Sequence, residues 1–153
     1  MKFSLTFTVF LLLNFGALLL GNLLMNNGAT SEWYISLNKA PWTPAGWVFG
    51  AAWTSVMIFF SVYMAFLYQN LKTRSVVFLY SLHLMLNIPW NYIFMNKHMI
   101  LLGLIDISLL TVLMFYLLFA YKNLLNNMRF FALPYCLWLL LATSLNIYVV
   151  IFN

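Results

Sequence analysis

Long apolar runs alternate with short polar breaks along the whole chain. Stretches rich in Leu, Phe, Ile, Val and Met extend over residues 3–25, 46–68, 76–95, 99–121 and 130–152. A helix crosses the hydrocarbon core of a bilayer with about 20 apolar residues, and each run is long enough. The breaks between the last four runs, QNLKTRS, NKH and KNLLNNMR, are short enough to make sequential helices packed neighbours. Only the connection over residues 26–45 is long. The pattern predicts an all-α integral membrane protein, a bundle of five transmembrane helices forming a single domain over residues 1–153. The first run exceeds the roughly 7–15 residues of a signal-peptide core and has no clear small-residue cleavage site after it, so it is expected to be a retained span.

Composition supports this pattern. The chain is 65% hydrophobic and 6% charged, against about 25% charged in soluble domains. The formal charge of +5 is scattered, with no basic patch for phosphates, so nucleic acid is excluded as a partner. Alternating spans place Lys2, Lys72, Arg74, Lys122 and Arg129 at one membrane face and Lys39 and Lys97 at the other, with Glu32. The positive-inside tendency then puts the N-terminus on the cytoplasmic face and the C-terminus opposite. Five spans do not divide into two equal inverted repeats, which argues against a conventional secondary transporter.

Polar residues inside the runs mark inward faces, because they are costly against lipid. Asn87, Trp90, Asn91 and Phe94 share one helical face, and Pro89 among them removes a backbone donor. Tyr135, Trp138, Ala142 and Asn146 align in the same way on the last helix. Trp53 and Trp138 lie too deep for an interfacial belt, whereas Trp33, Tyr34, Tyr68, Tyr80 and Tyr121 fit one. Together these faces predict an aromatic space with a few amides, suited to a flat, hydrophobic, delocalised small molecule held among membrane lipid.

Asp106 is the one acid within a span and is either a functional group or a structural brace. His83 and His98 lack the pairing or attachment motif of a haem site, so no metal and no cofactor is expected. Cys136 sits in an apolar run and is expected to be a packing residue. No Ser or Cys comes with an identifiable base, and no catalytic residue is assigned on that ground. Gly46 and Gly50 form a G-x-x-x-G step, a weak signal for close helix contact.

Several motifs occur together in order: Trp33-Tyr34, then Lys39-Ala40-Pro41-Trp42-Thr43-Pro44-Ala45-Gly46-Trp47, then Trp53, then Leu86-Asn87-Ile88-Pro89-Trp90 followed by Phe94, then Asp106, then Pro134-Tyr135-Cys136-Leu137-Trp138 and Thr143-Ser144-Leu145-Asn146. In order and spacing they resemble the TspO/MBR family, the tryptophan-rich sensory proteins and translocator proteins, also called peripheral-type benzodiazepine receptors. The resemblance implies a five-helix bundle, usually a homodimer, that binds porphyrins such as protoporphyrin IX and in some members sterols or benzodiazepine-type ligands. It implies a pocket lined by Trp47, Trp53, Asn87, Trp90, Trp138, Ala142 and Asn146, with Tyr34 and Trp42 from the loop end.

The chain departs from the family pattern at Ala40, at Ala45-Gly46 and at Asn91, and Tyr148 has no Lys or Arg after it, which lowers the expectation of sterol. A receptor or sensor for tetrapyrroles is the leading expectation. The alternatives are a light- and oxygen-dependent porphyrin-degrading enzyme, with Trp47 and Trp138 as the reacting pair, and a transporter of tetrapyrroles or sterols.

Overall fold

The computed structural model describes residues 2–153, and among them it contains helices and turns but no strand. Helix α1 spans Phe3–Leu24, the short α2 Glu32–Ser36, α3 Gly46–Asn70, α4 Thr73–Trp90, α5 Ile100–Ala120, the single turn α6 Lys122–Leu125 and α7 Leu133–Phe152. Counted with their adjoining turns, four segments are long and apolar enough to cross a membrane: Phe3–Thr30, Gly46–Asn70, Ile100–Ala120 and Lys122–Phe152. Helix α4 is shorter and carries Arg74, His83 and Asn87, but it continues without a break into a π-helical turn over Asn91–Asn96.

That turn has a local cause. Pro89 lies inside α4 and cannot donate to the carbonyl one turn back, so the regular ladder is already interrupted there. The chain stays helical by widening, and the Lys97 amide donates to the Tyr92 carbonyl at 2.9 Å, five residues back. The wider turn brings Phe94 into the interior, where a Cβ on Gly103 of α5 would stand 2.8 Å from the ring.

Long helices run antiparallel to their chain neighbours. The Gln69 amide nitrogen, near the end of α3, donates to the Thr6 hydroxyl near the start of α1, and Phe66 meets Phe3 and Phe131. Tyr63 donates to the Leu117 carbonyl of α5 at 2.7 Å. At the other end, Asn96 donates to the Leu24 carbonyl and Asn38 bonds to both Phe152 and Asn153. Lys2, Lys72, Arg74, Lys122 and Arg129 therefore belong to the first end, and Glu32, Lys39 and Lys97 to the second.

The core runs down the middle of α3, α5 and α7 through Met57, Phe60, Tyr63, Met64, Met114, Leu117, Tyr135, Cys136 and Leu139, all essentially closed to solvent. The outside is apolar too: Leu12, Leu23, Phe78, Met85, Val112, Phe119, Leu137 and Ile151 are exposed. A surface of this kind suits hydrocarbon rather than water.

Two expectations change. The connection over residues 26–45 is not plain loop: it holds a 3₁₀ turn at Gly28–Thr30 and helix α2, whose start is capped by the Ser31 hydroxyl accepting from the Tyr34 amide. Tyr80 is not interfacial but buried, donating to Asn14 Oδ1 at 2.8 Å, while Asn14 Nδ2 donates to Ser61 at 2.8 Å. This bond chain ties α1, α3 and α4 together through one amide placed in mid-span.

Candidate functional site

Helices α3, α4 and α7 meet in an aromatic cluster. The face expected on α7 is buried along its length: Tyr135 is 0% exposed, Trp138 8%, Ala142 9% and Asn146 5%. Trp53 of α3 meets Trp138 at 6.3 Å and Tyr135 at 5.8 Å, both edge to face, and Phe49 meets Trp138 at 5.4 Å. From α4, Asn87 donates to the Tyr135 hydroxyl at 2.6 Å, and Trp90 stacks on Phe94 at 5.0 Å.

Several polar atoms of this cluster are buried without a hydrogen-bond partner among the described residues: the indole N–H of Trp90, the indole N–H of Trp138 and Oδ1 of Asn146. Asn146 turns its amide nitrogen back to the Ala142 carbonyl at 2.9 Å, which leaves the oxygen free. Buried polar atoms are nearly always bonded, and an unbonded one costs about 1–3 kcal/mol. Trp90 and Trp138 each present an unbonded donor, and Asn146, about two turns beyond Trp138 on α7, an unbonded acceptor; a molecule with polar groups can use them. One oxygen of Asp106, in α5, is also buried without a partner. The α5–α7 contact is instead joined by Thr111 and Thr143, whose hydroxyls lie 2.9 Å apart.

The remaining expected residues lie elsewhere. Trp47 is 76% exposed in the first turn of α3, and the rings that meet Trp138 are Phe49 and Trp53. Trp42 is exposed as well, but its indole donates to the Ser144 hydroxyl at 3.1 Å and meets Tyr148 edge-on. Tyr34 lies in α2 with the Lys39 ammonium 4.8 Å from its ring centre, and burial raises its phenol above the usual pKa of 10.0. Lys39 also donates to the Tyr34, Ile35 and Leu37 carbonyls and so closes the end of α2.

The loop is fastened to the cluster on its other side. Trp33 stacks on His98 at 4.0 Å and meets Phe94 edge-on at 5.6 Å, and Phe94 stacks on Trp90. A cleft of about 470 Å³ opens beside this contact, lined by residues that include Asn27, Glu32, Asn96 and His98. The tryptophan cluster itself is packed ring on ring.

Sequence reasoning did not assign His83 and Phe49 to the site. His83 is fully buried, with Nε2 3.0 Å from the Tyr135 hydroxyl. Its spacing of four residues from Asn87 put it on the same face, and that was the available signal. Phe49 carried no signal, because phenylalanine is as common on a lipid-facing surface as in a core.

Apolar helices with an apolar exterior around a buried aromatic and amide cluster define a helical membrane protein. The chain belongs to the TspO/MBR family, whose model it matches over residues 7–151. It is similar to the tryptophan-rich protein TspO of Chlorobaculum tepidum, with 31% identity over 120 residues and 76% of each chain covered. It is similar also to the protein of that name from Archaeoglobus fulgidus, with 27% identity and 82% of each chain covered. A tryptophan-rich sensory protein of Cereibacter sphaeroides is 28% identical over 75% of this chain and 73% of its own.

Proposed function

We propose that this protein is a membrane receptor or sensor for porphyrin-like tetrapyrroles of the protoporphyrin IX class. The observation that carries the reading is the buried stripe Tyr135, Trp138, Ala142 and Asn146, whose two rings meet Trp53, with the Trp138 indole N–H and Asn146 Oδ1 on that stripe unbonded among the described residues. A flat delocalised ring system stacks on indoles, and its polar edge supplies the missing partners. Membership of the TspO/MBR family supports the same ligand class.

In this reading α1, α3, α4, α5 and α7 all cross the bilayer, α4 together with its π turn, and the end bearing Lys2, Lys72, Arg74, Lys122 and Arg129 faces the cytoplasm. The ligand contacts are Trp53, Asn87, Trp90, Trp138, Ala142 and Asn146, with Tyr34 and Trp42 on the loop side. Trp47, exposed as it is, is assigned to lipid or to a second copy in a homodimer. Sterols and benzodiazepine-type compounds are secondary ligands. If the protein acts as a light-dependent porphyrin-degrading enzyme, the reacting indoles are Trp53 and Trp138, which touch, rather than Trp47 and Trp138.

The test is a titration of the purified protein in detergent with protoporphyrin IX, following tryptophan emission and porphyrin absorbance. Saturable quenching is expected, weakened by Trp138→Phe and Asn146→Ala. Quenching that never saturates, or that is unchanged in both variants, sinks the proposal. Proteoliposomes showing protein-dependent porphyrin movement would assign transport, and a new product spectrum under light and oxygen would assign catalysis.

A further inference from the structure

Tyr135 and His83 are both fully buried, and each carries a group able to exchange a proton. The Tyr135 hydroxyl lies 2.6 Å from Asn87 Nδ2 and 3.0 Å from His83 Nε2. The amide nitrogen of Asn87 can only donate, so Tyr135 accepts from it, and the His83 tautomer with its proton on Nδ1 leaves Nε2 able to accept the phenolic proton. Nδ1 has no partner among the described residues, and the relay uses this tautomer. On its other side the Tyr135 ring meets Trp53, and Trp53 meets Trp138. Indoles and phenols are the side chains most readily oxidised by one electron. Three of them stand in ring contact here, and the last has an imidazole nitrogen 3.0 Å from its hydroxyl.

We infer that Trp138, Trp53, Tyr135 and His83 form an electron-hole relay, in which an oxidising equivalent created at the tryptophans passes to Tyr135 while the phenolic proton moves to His83 Nε2. The oxidant is a photoexcited aromatic chromophore held against Trp138, which takes one electron from the indole and becomes its radical anion; when the indoles themselves are photoionised, the ejected electron is taken up by solvent or dissolved oxygen. In the terminal step the Trp53 radical cation takes one electron from Tyr135. The Tyr135 O–H bond breaks and an Nε2–H bond forms on His83, leaving a neutral indole, a neutral phenoxyl radical and an imidazolium.

One positive charge moves from an indole to an imidazole, so the low-dielectric interior gains no charge it did not already hold. Asn87 keeps its hydrogen bond to the phenoxyl oxygen throughout. The relay removes the oxidising equivalent from the indoles that would contact a ligand. It rests on the tetrapyrrole reading only for the identity of the chromophore.

The test needs no ligand and so is independent of that reading. The full chain in detergent is flash-photoionised at its tryptophans, and transient absorption and freeze-trapped electron paramagnetic resonance follow the radicals. A tryptophan radical that decays as a tyrosyl radical rises, more slowly in D₂O, is expected. Tyr135→Phe should abolish that rise, and His83→Leu should remove its isotope effect. An unchanged tyrosyl rise in Tyr135→Phe, or an unchanged isotope effect in His83→Leu, overturns the relay. Circular dichroism checks folding. Should Tyr135→Phe not fold, Trp53→Leu leaves the Tyr135 hydrogen bonds in place and must abolish the same rise; persistence of the rise there overturns the relay equally.

Discussion

The Trp33 indole lies flat on the His98 imidazole, 4.0 Å between ring centres and 12° between planes. His98 holds this position with a φ of 57°, a left-handed conformation that few non-glycine residues adopt. The stack joins the long connection to the turn between α4 and α5. An aromatic pair of this kind contributes about 0.5–1.5 kcal/mol beyond its buried area. Trp33→Ala should therefore raise hydrogen exchange several-fold over residues 28–36 and leave α3 and α7 protected. Uniform loss of protection across all helices would show that Trp33 holds the whole bundle rather than its strap.

Gly103 and Gly50 should respond oppositely to alanine. A Cβ on Gly103 would stand 2.8 Å from the buried Phe94 ring, whereas one on Gly50 would meet nothing within 4 Å. Overpacking of this sort costs about 1–3 kcal/mol, and alanine in an open helical position gains up to about 1 kcal/mol over glycine. Thermal unfolding in detergent should thus fall for Gly103→Ala and hold or rise for Gly50→Ala. Equal shifts would refute the close approach of α5 to the π turn.

Asn14 serves two partners in mid-span, accepting from Tyr80 and donating to Ser61. Replacement by Leu strands the Tyr80 hydroxyl, and a buried unbonded group costs about 1–3 kcal/mol. Asn14→Leu should destabilise by that order, and adding Tyr80→Phe should recover part of the loss. A double variant as unstable as the sum of the two single changes would mean that the pair is not coupled.

Trp138 and Trp47 offer the clearest contrast for ligand binding, since one is 8% exposed and the other 76%. Trp138→Phe should weaken protoporphyrin IX binding by about 1 kcal/mol, a several-fold rise in Kd. Trp47→Phe should bind as the parent does. Calorimetry or fluorescence titration reads both, and the reverse ranking would move the binding site to the first turn of α3.

The contrast between these tryptophans also marks how far the sequence could be read. In water, hydrophobicity separates inside from outside; in lipid, both sides of a helix are apolar and only polar residues mark the interior. Tyr135, Trp138, Ala142 and Asn146 were legible because an amide ended their stripe. Trp47 and Trp53 sit in the same apolar stretch, six residues or about 1.7 turns apart; depth set Trp53 apart, but Thr54 and Ser55 beside it can satisfy themselves on their own helix backbone and so do not say which tryptophan faces inward. The helix limits followed closely from the polar breaks. The exception was α4, where Pro89 announced an interruption but not whether the chain would kink, stop or widen. Asn14 was visible as a polar residue in an apolar run, while its partners, on two other helices, were not. His83 and Tyr135 lie 52 positions apart, and only the fold puts them in contact.

The connection over residues 26–45 is fastened at both margins: Trp33 rests on His98, and Asn38 exchanges three hydrogen bonds with Phe152 and Asn153. Trp42, bonded to Ser144 and edge-on to Tyr148, is a third tie. The segment is thus moored twice to α7 and once to the turn before α5, so the loss of any single mooring leaves its path across the bundle end fixed by the other two.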